Sequence, residues 1–185
     1  MMTRRLLLQG LATALALAGF ATRAFAIDFP EWYTLANAAA QNKTEDVAGM
    51  LQHGANPNVT DSAGRTPLGY AAAFGNAAML KALLESGARI DYRDTFGRTP
   101  LHWAAEGGQA ESIRLLVAAK APVDATARQG ITPLMLAAGG NKSDAVKALL
   151  AAGADPKKQD FTGRDALGWA AGKPAALRVL QAAQG

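Results

Sequence analysis

The chain contains no cysteine, which excludes disulfides, thiolate metal sites and a cysteine nucleophile and leaves stability to packing. Histidine is almost as scarce: His53 and His102 are the two copies in 185 residues. They do not form the His-Glu-x-x-His arrangement that sets two ligands on one helix face. No Gly-x-Ser-x-Gly elbow and no phosphate-binding loop is present. Long apolar runs are missing too. The stretch from Leu6 to Ala21 is about 16 residues, interrupted by Gln9, Gly10, Thr13 and Gly19, and falls at or below the short limit for crossing roughly 30 Å of hydrocarbon. With neither a nucleophile–base pair nor a cluster of metal ligands, the expectation is a chain that is not an enzyme and holds no metal or cofactor.

Acidic residues are absent from the first 26 positions, which hold Arg4, Arg5 and Arg23. That segment has a short positive start, the apolar stretch, and Ala24-Phe25-Ala26, the small-x-small pattern of a signal-peptidase site. It predicts a cleavable secretory signal over 1–26 and a mature start at Ile27. Thr3-Arg4-Arg5-Leu6-Leu7-Leu8 resembles the twin-arginine motif, and both that route and the general one end in the periplasm. The alternative is a tether to the inner membrane by an uncleaved signal. The formal charge of +4 belongs mostly to this leader: without its three arginines, 16 basic side chains face 15 acidic ones. A near-neutral body lacks the clustered phosphate-binding cations that nucleic-acid affinity rests on, so nucleic acid is not an expected partner, nor is stable membrane insertion after cleavage.

What the chain has in abundance is periodicity. Gly64-Arg65-Thr66-Pro67-Leu68 returns as Gly97-Arg98-Thr99-Pro100-Leu101, as Gly130-Ile131-Thr132-Pro133-Leu134, and in worn form as Gly163-Arg164-Asp165-Ala166-Leu167, each step being 33 residues. Gly54-Ala55, Gly87-Ala88, Lys120-Ala121 and Gly153-Ala154 keep the same beat. Thr-Pro is a strong helix start, since the hydroxyl caps free N–H groups and proline at the first helical position lacks only a donor that would be unpaired. A helix from Pro67 to about Ala73 is therefore predicted. Second helices follow over 76–86, 109–119 and 141–152, with Leu80/Leu83/Leu84, Ile113/Leu116/Val117 and Val146/Leu149/Leu150 at i, i+3, i+4 forming one apolar face. Glycine then closes each in the left-handed region; Lys120 breaks that pattern.

The 33-residue period, the intact Thr99-Pro100-Leu101-His102-Trp103-Ala104 signature and the closing Gly-Ala resemble the ankyrin repeats, over essentially all of 28–185. The resemblance implies an all-α solenoid of helix-turn-helix units with hairpin-like fingers such as 90–94 and 123–127. About five units are expected, 28–60, 61–93, 94–126, 127–159 and 160–185, within a domain spanning 27–185. The outer two are caps, because one unit cannot bury its apolar stripe alone. Asn37 stands where other units have Tyr70, Trp103 and Leu136. Leu177-Arg178-Val179-Leu180 aligns with Leu80-Lys81-Ala82-Leu83 only if two residues are missing near Gly172-Lys173-Pro174.

The resemblance also assigns roles. His102 is expected to hydrogen-bond between repeats, and the finger acids Asp61, Asp91, Asp94, Asp124 and Asp160 to satisfy turn backbone rather than bind calcium. His53 precedes a helix-ending glycine, where the dipole favours a cation. Tyr70, Trp103 and Trp169 share one register and are expected in or near the core. Arg65, Arg98 and Arg164 flank the signature, where the family often carries arginine. Phe96 and Phe161 fall at finger tips, where nothing in the repeat's packing demands an aromatic. Aromatic and arginine anchors dominate interface energetics, so Phe96, Phe161, Tyr92, Arg93 and Arg128 form the expected partner-binding set. Phe74 and Glu106 join them on the concave side. The function implied is a periplasmic module that binds another protein through its finger tips and concave face; the alternative is a small-ligand or metal-binding sensor.

Overall fold

The computed structural model describes residues 34–183; the leader expected over 1–26 and its cleavage site lie outside the described residues. Among the described residues the architecture is all-helical with no strand. Ten helices alternate as short pairs: α1 (Leu35–Ala40), α2 (Thr44–Gln52), α3 (Pro67–Phe74), α4 (Ala77–Glu85), α5 (Pro100–Gly107), α6 (Ala110–Ala118), α7 (Pro133–Gly139), α8 (Ser143–Ala151), α9 (Ala166–Trp169) and α10 (Pro174–Ala182). None is long and apolar enough to cross a membrane. First helices stack on first helices and second on second, α1-α3-α5-α7-α9 forming the inner layer and α2-α4-α6-α8-α10 the outer.

Each inner helix starts as its residues require. Thr66 and Thr132 accept hydrogen bonds from the N–H groups of Gly69 and Met135, with proline at the first position. In the worn signature Asp165 takes over the threonine's part, accepting from Gly168 N–H. Paired alanines, Ala71-Ala72, Ala104-Ala105 and Ala137-Ala138, are fully buried between the inner helices, where their small side chains allow close packing.

The outer helices bury a stripe one position away from the i, i+3, i+4 set. Leu80, Leu83, Ile113, Leu116, Val146 and Leu149 are fully buried as expected, joined by Met79, Ser112 and Ala145, whereas Leu84, Val117 and Leu150 are half-buried. An outer helix faces both its inner partner and the next repeat, so the contact stripe is i−1, i, i+3, and the i+4 residue lies at its solvent margin. Full burial of each such leucine stabilises by roughly 1.5–3 kcal/mol. Leu149 and Leu180, both fully buried, are 31 positions apart where Leu83, Leu116 and Leu149 keep 33. The shortening falls on α9, which has four residues against eight in α3 and α5.

The fingers are turns without strand pairing. Each closes with one N–H···O=C bond across its base: Asp61 to Arg65, Asp94 to Arg98, Ala127 to Ile131 and Asp160 to Arg164. Neighbouring fingers join by single backbone bonds in the repeat's own rhythm, Thr95 N–H to Ala63 O (3.2 Å), Arg128 N–H to Phe96 O (3.0 Å) and Phe161 N–H to Gln129 O (2.8 Å).

Candidate partner-binding surface

The finger acids organise the turn tips. One carboxylate oxygen of Asp61 accepts from Ala63 and Arg65 N–H, one of Asp94 from Phe96 and Arg98 N–H, and one of Asp160 from Thr162 and Arg164 N–H. Burial pushes the Asp61 carboxyl up, but the Tyr70 hydroxyl and these N–H groups outweigh it and hold the pKa below its ordinary value. The Thr162 hydroxyl, opposed by burial and helped by the Arg164 N–H and the Trp169 indole, holds Asp160 far below the usual carboxylate range. Asp124 accepts from Asp155 N–H of the next repeat, and Asp91 pairs with Arg89 at the surface.

His102 is buried in the inner layer. Its Nδ1 accepts from the Thr99 N–H (3.1 Å) and lies 2.9 Å from the Thr99 hydroxyl, while Nε2 lies 3.1 Å from the Ile131 carbonyl of the following repeat. A ring accepting at Nδ1 and donating at Nε2 is neutral, and burial lowers its pKa to about 4. It rivets two repeats, as the resemblance implied. His53 Nδ1 lies 2.7 Å from Gly49 O at the end of α2.

Of the aromatics expected in or near the core, Tyr70, Trp103 and Trp169 are half-buried at the rim of the inner layer. The Tyr70 hydroxyl donates to Asp61 (2.5 Å) and the Trp169 indole N–H to Asp160 (2.9 Å). Trp103 is sandwiched by arginines, with the Arg65 guanidinium 3.3 Å and that of Arg98 4.7 Å from the ring centroid. Arg65 also lies 4.7 Å from the Tyr70 ring, which stacks on Phe74 at 6.2 Å. Arg98 lies 5.8 Å from the Phe96 ring, as does Arg128. A continuous ladder thus runs from Phe74 through Tyr70, Arg65, Trp103, Arg98 and Phe96 to Arg128, each cation within reach of an aromatic face. Sequence reasoning passed over Arg65, Trp103, Tyr70 and Arg98 as members of the surface. The signal was available: arginine followed five positions later by an aromatic, at 65/70, 98/103 and 164/169.

The expected contact residues are placed in different ways. Phe74, Phe96 and Phe161 are the large apolar side chains left exposed among the described residues, at 46%, 52% and 84%. Phe161 still leans on the preceding finger: a Cβ at Gly130 would come within 2.9 Å of its ring. Arg93 works as a strap, donating to Gly97 O (3.0 Å) and Thr126 O (2.6 Å) across two fingers. Glu106 pairs with Arg98 at 2.9 Å, which lowers the free charge of the ladder. Tyr92 is half-buried beside Arg65 and Trp103, with Arg89 5.8 Å from its ring. Arg128 is exposed, and among the described residues it, Arg65 and Arg93 have no ion-pair partner. Among the described residues no group of three or more His, Asp or Glu is placed to hold a metal ion.

Paired helices stacked in two layers, threonine-proline starts and a histidine riveting neighbouring repeats define a helical repeat solenoid. The family model for ankyrin repeats, described as three copies, matches residues 35–129 and 119–184, so the chain belongs to the ankyrin repeat family. Ankyrin repeats generally mediate protein–protein interaction and act as non-enzymatic modules. Comparison with curated proteins finds no match.

Proposed function

We propose that this chain is an exported interaction module that holds a partner protein in the periplasm, gripping it with the finger tips at Phe96 and Phe161 and with the inner-helix face at Phe74 and Glu106. One observation carries the reading. Of the three large apolar side chains exposed among the described residues, Phe74 and Phe96 belong to the arginine–aromatic ladder, and Phe161 rests on the finger that follows Phe96, beside Gly130. Exposed rings cost solubility, and aromatic and arginine side chains at a rigid surface are the groups that dominate interface energies.

The test is Phe96→Ser with Phe161→Ser. Surface substitutions usually stay within about 0.5 kcal/mol, so the double variant is expected to keep its helical signal and melting midpoint. Two lost anchors at about 2 kcal/mol each weaken partner capture on the order of a thousandfold if additive, read by crosslinked pull-down from periplasm beside the wild type. Early unfolding would return the rings to inter-repeat packing. Normal folding with undiminished capture would move the contact toward Phe74 and Glu106. For the location, mass spectrometry of the native protein is expected to find a start at Ile27; an intact Met1 or Met2 would instead mean a retained leader.

A further inference from the structure

Three fingers carry the same three-part unit: an acid, an arginine four positions on and an aromatic nine positions on. The sets are Asp61/Arg65/Tyr70, Asp94/Arg98/Trp103 and Asp160/Arg164/Trp169. In the remaining finger all three are apolar at once, as Ala127, Ile131 and Leu136. The local structure changes accordingly. Without a carboxylate at 127 the tip tightens into a single 3-10 turn over Arg128–Gly130, and Gln129 is driven into the left-handed region at φ 63°. No guanidinium rises from position 131 to cover the inner helix. Between this finger and the preceding one is an open cleft of about 310 Å³, lined by Phe96, Arg98, Ala127, Arg128, Gln129 and Ile131. Its walls are apolar at Phe96, Ala127 and Ile131. Arg98 and Arg128 stand at its edge, each 5.8 Å from the Phe96 ring centroid. Arg98 is neutralised by Glu106, while Arg128 has no ion-pair partner among the described residues.

We propose that this cleft is a specificity subsite for an internal, extended segment of a partner protein, taking an aliphatic side chain against Ala127 and Ile131 and an adjacent Asp or Glu against the Arg128 guanidinium. The proposal rests on reading the finger face as the partner surface and names the chemistry of that partner. The occupant follows from complementarity. Phe96, Ala127 and Ile131 give the cleft a contiguous apolar wall, which suits a Leu, Ile or Val, while the Gln129 amide and the two guanidiniums supply its polar lining. The one uncompensated cation at the edge suits a single carboxylate, since a guanidinium binds that group with fixed, directional donors. A polyanion would need a row of such cations, and Arg98 is already occupied.

The experiment selects random short peptides, displayed with both ends embedded, on the purified chain. Two variants serve as controls. Arg128→Glu reverses the charge of an exposed side chain. Ala127→Asp, Ile131→Arg and Leu136→Trp together install the unit of the other fingers and close the cleft. Enrichment of Asp or Glu next to an aliphatic residue is expected, with affinity reduced about tenfold or more in both variants. Arg128→Glu is expected to shift the enriched neighbour from acid to Lys or Arg. If the triple variant does not fold, the charge-reversal arm decides. Peptides lacking the acid–aliphatic pair, or bound equally by Arg128→Glu, overturn the subsite. If such peptides are still lost in Phe96→Ser with Phe161→Ser, the interaction reading survives without it; if no peptide is enriched, or an oligonucleotide binds more tightly than any peptide, the subsite is overturned as well.

Discussion

Lys120 sits at φ 71°, in the position where Gly54, Gly87 and Gly153 have 82°, 84° and 88°. A side chain in that region costs about 1–2 kcal/mol, partly offset by the greater unfolded-state freedom of glycine. Lys120→Gly is therefore expected to stabilise the stack by about 1 kcal/mol, and an unchanged or lowered urea midpoint would mean that the lysine side chain makes up the cost elsewhere. His102 argues the other way, for retention. Its pKa falls from 6.5 to about 4 on folding through burial, so the unfolded chain binds the proton first as pH drops. Its contribution is complete above pH 6.5 and is lost toward pH 4, on the order of 3 kcal/mol in all. Melting midpoints are expected to decline across that window, and His102→Gln to flatten the decline. Below it, as pH falls through the ordinary carboxylate range, Asp61 and Asp160 add their own loss, because their folded pKa values are depressed.

At the scale of an element, the finger over 127–131 is the irregular one. Asp61, Asp94 and Asp160 each tie two tip N–H groups, and Ala127 cannot. A net hydrogen bond stabilises by about 1 kcal/mol. Ala127→Asp is accordingly expected to raise the unfolding free energy by about 1 kcal/mol, read as a higher urea midpoint, and a fall would show that the 3-10 turn does not accept the regular finger geometry. The cleft-closing variant is expected to fold by the same regularity, since it repeats what three other fingers already do. The arginine–aromatic ladder is also an element-scale object: no single pair holds it, and its continuity comes from Arg65 reaching forward to Trp103 of the next repeat.

For the whole molecule, stability in a solenoid is distributed between repeats and their interfaces. Helices α3 and α5 have inner-layer neighbours on both sides, whereas α9 is four residues long. Hydrogen exchange is expected to be slowest in α3 and α5 and fastest in α9, following the local density of buried contacts. Uniform protection from α3 to α9 would indicate a single cooperative unit instead. A partner gripping the finger face spans several repeats, so its binding is expected to slow exchange in α9 less than in the fingers around Phe96.

Sequence alone determined the all-helical repeat, its 33-residue step, the threonine-proline starts, the left-handed Lys120 and the bridging His102. These depend on local backbone chemistry and on an internal copy count, both of which a single chain displays. The tips at Phe96, Phe161 and the helix end at Phe74 were legible for the same reason, being departures from a visible pattern. Tertiary structure decided what depends on neighbours 33 residues away. The outer stripe shifted to i−1, i, i+3 because two surfaces bury it. Between the core and near-core places open to Trp103, the half-buried rim was decided by the stack, where guanidiniums from two repeats lie over its ring. Arg93 became a strap because a carbonyl of the next finger lies within 2.6 Å. The cleft beside Arg128 exists because Phe96 and Arg98 of one repeat meet Ala127 and Ile131 of the next only once the repeats are stacked.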